Sequence, residues 1–247
     1  MLTLHTHFLP QLVEPQALAG AAVVVIDVLR ATTTIVHALA AGAREVRPCL
    51  EIDEARQLAA SYPAGETVLG GERQGVRIEG FDLGNSPTEY TPERVRGRTV
   101  VFTTTNGTRA MMRCREARRV LVGALVNRRA VAAALAGEDQ VHCVCAGTHG
   151  EITREDVLLA GSLAELLTAA GNGADWTLND EARLALDAWC VAFPAGSTAD
   201  DLTRQLAETQ GGRNLVAEGF TPDIATAALL DAFAIVPHLD VQNMVIR

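Results

Sequence analysis

Short runs of apolar residues alternate along this 247-residue chain with longer segments of helical composition. The runs richest in valine and other apolar residues have the pattern of buried strands, and they cover 23–26, 99–103, 121–127 and 141–147. Helices are predicted over 35–41, 54–60, 109–115, 128–136, 155–169, 180–191, 201–209 and 223–233. Strands that recur among helices predict an α/β fold with three layers, α/β/α, and a mostly parallel or mixed sheet.

Three further strands are predicted from weaker patterns, over 1–9, 45–50 and 241–246, the last of them at a sheet edge. Apolar and polar residues alternate in the first of these, which places His5 and His7 on one face. A His-x-His pair at a strand end can bind a metal, but no Lys or Asp pattern follows that would complete such a site. We therefore interpret both residues as histidines of an edge strand.

The first buried strand ends at a group of polar residues. Asp27 follows it directly, Arg30 comes next, and Thr32, Thr33 and Thr34 open a helical segment. The free N–H groups, the hydroxyls and the positive dipole end of that first helical turn would all face an anion. Carboxylate, guanidinium and helix N-terminus together predict a metal-assisted site for a phosphate or another oxyanion.

A similar turn follows the second buried strand. When the sequence is shifted by 74 residues, 31–34 falls on 105–108 and 43–46 falls on 117–120. Both regions have the order strand, threonine-rich turn, helix, strand, which favours an internal duplication whose two turns would flank one pocket. For 103–108 the alternative is a plain Asn-Gly turn with threonine caps.

Residues 70–87 contain five glycines and several charged residues without a sustained period. Loops of this length in a compact domain are usually functional or disordered, and the apolar residues within this one would pack down. We predict an ordered active-site loop that carries Glu72, Arg73 and Asp82 to the mouth of the pocket. The alternative is a glycine-rich surface excursion with solvated charges.

Length and composition restrict the class of protein. The chain is long enough for one domain over 1–247, or for two closely packed lobes over 1–137 and 138–247. Its net charge of −9 argues against nucleic-acid and anionic-membrane partners. Residues 1–10 lack the basic segment of a signal peptide, and the apolar run 17–26 is too short to span a bilayer, so we expect a cytoplasmic protein.

Several familiar phosphate-handling mechanisms lack their sequence signals here. Five cysteines without regular spacing are typical of reduced thiols, and no arginine follows Cys143 or Cys145 at the spacing of a cysteine phosphatase. A haloacid-dehalogenase-type site would place a second Asp two residues after Asp27, where Leu29 stands instead. Walker and dinucleotide-binding glycine motifs are also missing. The helical segment after residue 179 predicts a lid or packing layer, in which Asp223 and Asp231 would share one helix.

Taken together, these motifs resemble those of the 2-phosphosulfolactate phosphatase family. The matching segments are VVVIDVLRATTTIVHALAAGA from residue 23, GGER with GFDLGNSP, TTTNGT, the turn at Asn127, and CAGTHGEITREDVLLAG from residue 145. The resemblance implies a three-layer α/β/α fold and a magnesium-dependent phosphatase that releases 3-sulfolactate and phosphate from 2-phospho-3-sulfolactate. That substrate belongs to coenzyme M biosynthesis, whereas family members occur in bacteria not expected to make this cofactor. A phosphatase of another small phosphorylated or sulfonated acid therefore stays an alternative, as does a non-catalytic oxyanion-binding protein.

With this resemblance, roles can be assigned to residues as expectations. We expect catalytic roles for Asp27, Arg30 and Arg73, and Mg²⁺ bound by Asp27 with Glu72 or Asp82 and Asp156. The residues expected to bind the phosphoryl group or the rest of the substrate are Thr32, Thr33, Thr34, Asn85, Ser86, Thr105, Asn106, Gly107, Thr108, Asn127 and Cys145. The expected partner is a small anionic phosphomonoester. The oligomeric state stays open, a homodimer included, and so does the choice between attack by water and an aspartyl-phosphate on Asp27.

Overall fold

A computed structural model describes residues 1–169 and 175–247, and within them the chain forms ten helices and eleven strands. The strands are β1 Leu2–His7, β2 Ala22–Ile26, β3 Glu45–Pro48, β4 Thr67–Arg73, β5 Val76–Arg77, β6 Thr99–Thr103, β7 Arg119–Gly123, β8 Gln140–Cys145, β9 Trp176–Leu178, β10 His238–Asp240 and β11 Val245–Ile246. The helices are α1 Ala31–Ala40, α2 Ile52–Ala60, α3 Pro92–Val95, α4 Gly107–Arg113, α5 Arg128–Ala134, α6 Arg154–Ala169, α7 Asp180–Ala192, α8 Ala199–Ala207, α9 Gln210–Ala217 and α10 Thr221–Ala227.

All eleven strands belong to one mixed sheet, in the order β5-β4-β6-β3-β11-β10-β7-β2-β8-β1-β9. Strands β7, β2, β8, β1 and β9 pair in parallel, and so do β4, β6 and β3. The short hairpin β10–β11 lies between these two parallel blocks and is antiparallel to its neighbours β7 and β3. The predicted α/β class with a mixed sheet is therefore confirmed.

Helices cover both faces of the sheet, because the central strands bury side chains in both directions. In β2, Val23 and Val25 face a core that includes residues of α1 and α4. The alternate residues of β2, Val24 among them, face a second core built with α5 to α10. Every residue of β2 is fully buried, as its unbroken apolar run predicts.

The two units of the predicted repeat exchange their second strands. The unit β2–α1–β3 and the unit β6–α4–β7 have the same order, and their second strands begin at Glu45 and Arg119, which are 74 residues apart. Strand β2 pairs with β7 of the other unit, while β6 pairs with β3. The exchange brings the turns before α1 and α4 together, since a Cβ on Gly107 would lie 2.7 Å from the Cβ of Ala31.

Several predicted elements differ from the structure. Residues 70–73 are part of β4, which forms a hairpin with β5, so the segment 70–87 is not all loop. The C-terminal residues form β10 and β11 inside the sheet and not at its edge. Strand β9 is the edge strand next to β1, so the histidines of β1 are not on an edge strand. Helix α10 ends before Asp231, which has a φ of +56° and so does not share a helix with Asp223.

These errors have physical causes. The β4–β5 hairpin has only a two-residue turn, so glycines that look like loop punctuation lie within paired strands. Strand position depends on pairing with residues far away in sequence, which a local pattern does not contain. The short elements β9 and α9 were not predicted, because three to eight residues carry too little periodicity.

Candidate active site

A cavity of about 330 Å³ opens beside Asp27, at the carboxyl end of β2. Four separate parts of the chain form its walls: the turn after β2, the segment from β4 to Asn85, the loop after β8, and helix α9 with its C-cap. The residues that line it are Asp27, Leu29, Arg30, Glu72, Gln74, Gly75, Asn85, Thr148, His149, Gly211, Asn214, Leu215 and Glu218. Four of the predicted site residues, Asp27, Arg30, Glu72 and Asn85, therefore come together.

Asp27 is one of two buried acids in the cavity wall, with Glu72. Its Oδ1 accepts a hydrogen bond from the Ala31 N–H at 3.2 Å, so the carboxylate lies at the first turn of α1. A Cβ on Gly107 would come within 2.8 Å of the Asp27 Oδ2. The turn before α4, called the second turn below, therefore lies directly beside Asp27. Burial raises the pKa of Asp27 to about 7, and the nearby carboxyl groups of Glu72 and Glu155 add to this effect. The Asp27 carboxyl group therefore gains or loses its proton near neutral pH when no bound cation lowers this pKa.

Glu72 joins the β4–β5 hairpin to the second turn. Its Oε1 accepts a hydrogen bond from the Thr105 N–H at 2.7 Å, and its Oε2 accepts one from the Gly75 N–H at 2.8 Å. Gly71, one residue earlier, has a φ of +144° and passes so close to Thr103 that a Cβ would lie 2.1 Å from its carbonyl oxygen. Only glycine permits this approach, which sets Glu72 against the turn.

Arg30 is buried and held from three sides. One guanidinium nitrogen donates to Asp223 Oδ2 at 2.8 Å, and the other donates to the Gly75 carbonyl oxygen at 3.1 Å. The guanidinium carbon lies 4.3 Å from the ring centre of Phe220. Asp223 in turn accepts a hydrogen bond of 2.6 Å from the Ser86 hydroxyl. Ser86 therefore reaches the site indirectly, through the carboxylate that pairs with Arg30.

Two further acids lie below Asp27, at the start of α6. Asp156 accepts hydrogen bonds from the Val28 N–H at 2.8 Å and from the Gly147 N–H at 3.0 Å, so it fixes the residues that follow β2 and β8. Burial and the neighbouring acids Asp27 and Glu155 raise the pKa of Asp156 well above its ordinary value. Burial also raises the pKa of Glu155, whose buried Oε2 has no hydrogen-bond partner in the part of the chain that the structure describes.

The threonines of the first turn stabilise the backbone. Thr32 donates its hydroxyl to the Asp27 carbonyl, Thr33 to that of Val28 and Thr34 to that of Asn85, each at 2.8 Å. Their side chains are fully buried and do not line the cavity. In contrast, Asn85 lines the cavity, and its buried Oδ1 has no hydrogen-bond partner among residues 1–169 and 175–247. This amide oxygen therefore keeps an unused acceptor position beside the cavity.

Comparisons with known proteins identify the family of this chain. The family model described as 2-phosphosulpholactate phosphatase matches residues 7–242, nearly the whole chain. The chain belongs to the 2-phosphosulfolactate phosphatase family. It is thus a member of a family of phosphoric monoester hydrolases, as the sequence motifs predicted.

Relatives from this family match over almost their full length. A probable 2-phosphosulfolactate phosphatase of Caldanaerobacter subterraneus is 40% identical over 91% of this chain and 89% of its own. A protein of the same description from Symbiobacterium thermophilum is 44% identical over 90% of this chain and 92% of its own. One from Prochlorococcus marinus is 42% identical over 90% of each chain.

Other predicted site residues lie away from the Asp27 cavity. The Arg73 guanidinium donates to the carbonyl oxygens of Glu72 and Leu50, and it lines a separate cavity of about 580 Å³ beside α2. Asp82 is exposed and accepts the Leu69 N–H. Asn127 is fully buried, and its amide group bonds only backbone groups. The Cys145 thiol lies in the core, where burial raises its pKa well above the ordinary value.

The second turn contributes its backbone more than its side chains. The Thr105 N–H contacts Glu72, and the Asn106 Oδ1 accepts the His149 N–H at 3.3 Å. Gly107 permits the close approach to Asp27, while the hydroxyl of Thr108 accepts the Thr104 N–H at 3.3 Å. None of these four lines the cavity, so they shape it from behind.

Sequence reasoning missed several residues of the cavity wall. Gln74 and His149 line it and lie in the predicted active-site loop and in the motif after residue 145, but neither was assigned a role. Asn214 and Glu218 line it from α9 and its C-cap, and α9 was not predicted. Glu155 was missed because its helix position is that of an ordinary first-turn acid, although its burial distinguishes it. Over the described residues, no helix is long and apolar enough to cross a membrane.

Proposed function

We propose that the protein is a magnesium-dependent phosphatase that hydrolyses 2-phospho-3-sulfolactate to 3-sulfolactate and phosphate. Its membership of the family and the names of its relatives support this substrate. The observation that carries the proposal is the arrangement of oxygen atoms around the cavity at Asp27, described above.

The charges of the cavity support a need for a cation. Asp27, Glu72 and Glu218 line it, whereas its arginine, Arg30, is already paired with Asp223. A phosphomonoester that carries several negative charges would be repelled from such a wall. A bound divalent cation removes that repulsion, and it also offsets the mutual repulsion that raises the pKa of Asp27.

The oxygen atoms of the wall suit Mg²⁺. Magnesium prefers oxygen ligands, usually takes one or two carboxylates and keeps several waters. Asp27 and Glu72 would supply the carboxylates, and Asn85 would add its unpartnered amide oxygen. Both carboxylate oxygens of Asp156 bond backbone N–H groups, so it would hold Asp27 and its turn in place. Among residues 1–169 and 175–247 no group of three or more His, Cys, Asp or Glu converges as a metal cage, so Mg²⁺ would complete its coordination shell here with water.

When bound, Mg²⁺ would polarise the phosphoryl group and favour the attacking hydroxide. The chain's own residues would do the positioning. Arg30 bonds the turn before α1 to Gly75 and Asp223, and Glu72 bonds the β4–β5 hairpin to the turn before α4. These bonds fix the positions of the two turns relative to each other. Such preorganisation is the usual main source of rate enhancement in sites of this kind.

A panel of small phosphomonoesters tests the proposal. The purified chain is treated with EDTA and assayed for phosphate release from 2-phospho-3-sulfolactate, 2-phospholactate and a simple alkyl phosphate, with and without added Mg²⁺. We expect turnover that needs Mg²⁺ and is fastest on the sulfonated ester. Asp27→Asn should lose at least about a hundredfold in kcat/KM, whereas Asp187→Asn, on the exposed face of α7, should match the wild type.

Other outcomes would replace this proposal. Faster metal-dependent turnover of another ester in the panel would assign a different small acid to the same site. Phosphate binding without turnover of any ester would indicate a non-catalytic oxyanion-binding protein. Rapid quench with labelled substrate separates attack by water from the alternative, because an acyl-phosphate trapped on Asp27 would make that residue the nucleophile.

A further inference from the structure

Two tight turns with an unusual backbone face the cavity at its mouth. Strand β4 passes to β5 through Gln74-Gly75, with Arg73 paired to Val76, and the φ angles are +53° and +78°. The loop after β8 turns through His149-Gly150, with Thr148 paired to Glu151, and the φ angles are +55° and +81°. Positive φ at both central residues is the mark of type I′ turns.

At the first central position of each turn, a residue with a side chain has a higher conformational energy than glycine would. Glycine, asparagine and aspartate are the favoured residues there, since most side chains are strained at positive φ. Within the described chain four non-glycine residues have positive φ, and two of them, Gln74 and His149, line this one cavity. Residues held in such conformations concentrate at functional sites.

The backbones of both turns are fastened to residues of the active site, whereas their side chains extend freely. The Gly75 N–H bonds Glu72, the Gly75 carbonyl bonds Arg30, and the His149 N–H bonds Asn106. The side chains of Gln74 and His149 are exposed and make no hydrogen bond within the described residues. Asn214 of α9 is a third exposed polar residue of the same wall.

We propose that Gln74, His149 and Asn214 form a rim that binds the sulfonate of the substrate. This inference rests on the proposed function. Amide and imidazole N–H groups are neutral donors that bond oxyanions without the desolvation cost of a buried cation. In 2-phospho-3-sulfolactate the sulfonate is one bond farther from the phosphoryl group than the carboxylate, so it is the group that reaches the mouth. Its three oxygens can accept from three sides, which matches three donors on separate segments.

Replacement by glycine separates binding from folding at these positions. Gln74→Gly and His149→Gly remove the side chain and relax the backbone, so the melting temperature should stay equal or rise. Each variant, and Asn214→Ala, should lower kcat/KM on 2-phospho-3-sulfolactate by about tenfold to a hundredfold, the scale of a lost hydrogen bond to a charged group. Turnover of 2-phospholactate, which lacks the sulfonate, should stay within about twofold of the wild type. Met244→Gly is the matched control, because Met244 also has a positive φ of +49° but lies in the turn between β10 and β11.

The outcomes separate this inference from the proposed function. Equal losses on both esters, or no loss on the sulfonated one, would overturn the sulfonate rim and leave the phosphatase in place. If the wild type hydrolysed no ester, the proposed function would be wrong, and titration calorimetry with 3-sulfolactate would then decide the rim alone. Binding that weakens in both glycine variants but not in Met244→Gly would support it, and failure of the wild type to bind would overturn it.

Discussion

Arg30 shows how one side chain can serve both the site and the fold. Its fork bonds Asp223 and the Gly75 carbonyl while its flat face covers Phe220. A lysine at this position keeps the charge but offers neither the fork nor the flat face. The contacts that the residue makes are therefore specific to arginine.

For Arg30→Lys we expect a loss of about 2–4 kcal/mol in transition-state stabilisation, the scale of one preorganised donor. The melting temperature should fall as well, because the buried Asp223 would keep the Ser86 hydroxyl but exchange the guanidinium for a poorly placed ammonium group. Steady-state kinetics and thermal unfolding measure the two effects. Arg56→Lys is the control, since Arg56 is half exposed and lies on α2. Unchanged kcat/KM would remove Arg30 from the site.

For single residues, the sequence predicts some members of the site and not others. Asp27 and Arg30 could be found because they follow a buried strand directly, where ligands bind in α/β sheets. Asp223 and Glu155 reach the same place from helices far away in sequence, so only the folded chain reveals their contacts. Arg73 shows the opposite error, because its neighbour Glu72 faces the Asp27 cavity while its own side chain lines the cavity beside α2.

At the scale of elements, the contact between the turns before α1 and α4 determines the shape of the cavity. A Cβ on Gly107 would lie 2.7 Å from the Ala31 Cβ and 2.8 Å from Asp27 Oδ2, both closer than real Cβ contacts. The threonine-rich repeat predicted that the two turns flank one pocket. It did not predict that they touch, because the exchange of second strands is a property of the whole sheet.

Gly107→Ala should push the two turns apart. We expect a loss of at least about tenfold in kcat/KM, together with a destabilisation of about 1–3 kcal/mol, as overpacking usually costs. The double variant Ala31→Gly/Gly107→Ala removes the contact between the two Cβ atoms but leaves the one with Asp27. Partial recovery of stability with little recovery of activity would show that the carboxylate is the sensitive partner. Full activity in Gly107→Ala alone would contradict this picture.

Strands β1 and β8 are joined by a stack of imidazole rings. The His142 ring stacks with those of His5 and His7, with ring centres 4.9 and 5.2 Å away, and the His7 Nε2 is 2.9 Å from the His142 Nδ1. Burial, with the neighbouring histidines, lowers the pKa values of His7 and His142 to about 4. The predicted shared face of His5 and His7 is confirmed, since their rings are stacked with centres 6.5 Å apart.

The stack should make the fold acid-sensitive. Between about pH 6.5 and pH 4 the histidines of the unfolded chain bind protons, whereas His7 and His142 of the folded chain do not. The free energy of unfolding therefore falls as the pH falls through this range. Buried carboxyl groups such as Asp27 have raised pKa values and act in the opposite direction, so the comparison needs a variant that shares them. Between pH 7 and pH 5 the wild type should lose on the order of 2 kcal/mol more than His142→Phe, whose ring stacks but does not titrate. Urea unfolding at both pH values measures this, and parallel losses in the two proteins would refute it.

At the scale of the whole molecule, the sheet consists of two parallel blocks that are joined by a hairpin from the C-terminus. Composition and the alternation of elements were enough to predict the class of fold, most of the helices, and the strands of both blocks except β4 and β9. The position of the hairpin was not predictable, because residues 238–246 form two very short strands with no distinctive pattern. Their place is determined by partners in β7 and β3, more than a hundred residues earlier in the chain.

This position makes the C-terminus essential for stability, in contrast to the predicted edge strand. A chain that ends at Pro237 would leave β7 and β3 with unpaired edges at the centre of the sheet, and we expect it to lose cooperative thermal unfolding. Ile246→Ala tests the same point more gently: its side chain is fully buried between the blocks, so the free energy of unfolding should fall by about 2–4 kcal/mol. Val191→Ala, at a residue that is 81% exposed on α7, should change it by less than about 0.5 kcal/mol. Native-like unfolding of the shortened chain would mean that the two blocks hold together without the hairpin, as they would if these residues were only a peripheral strand.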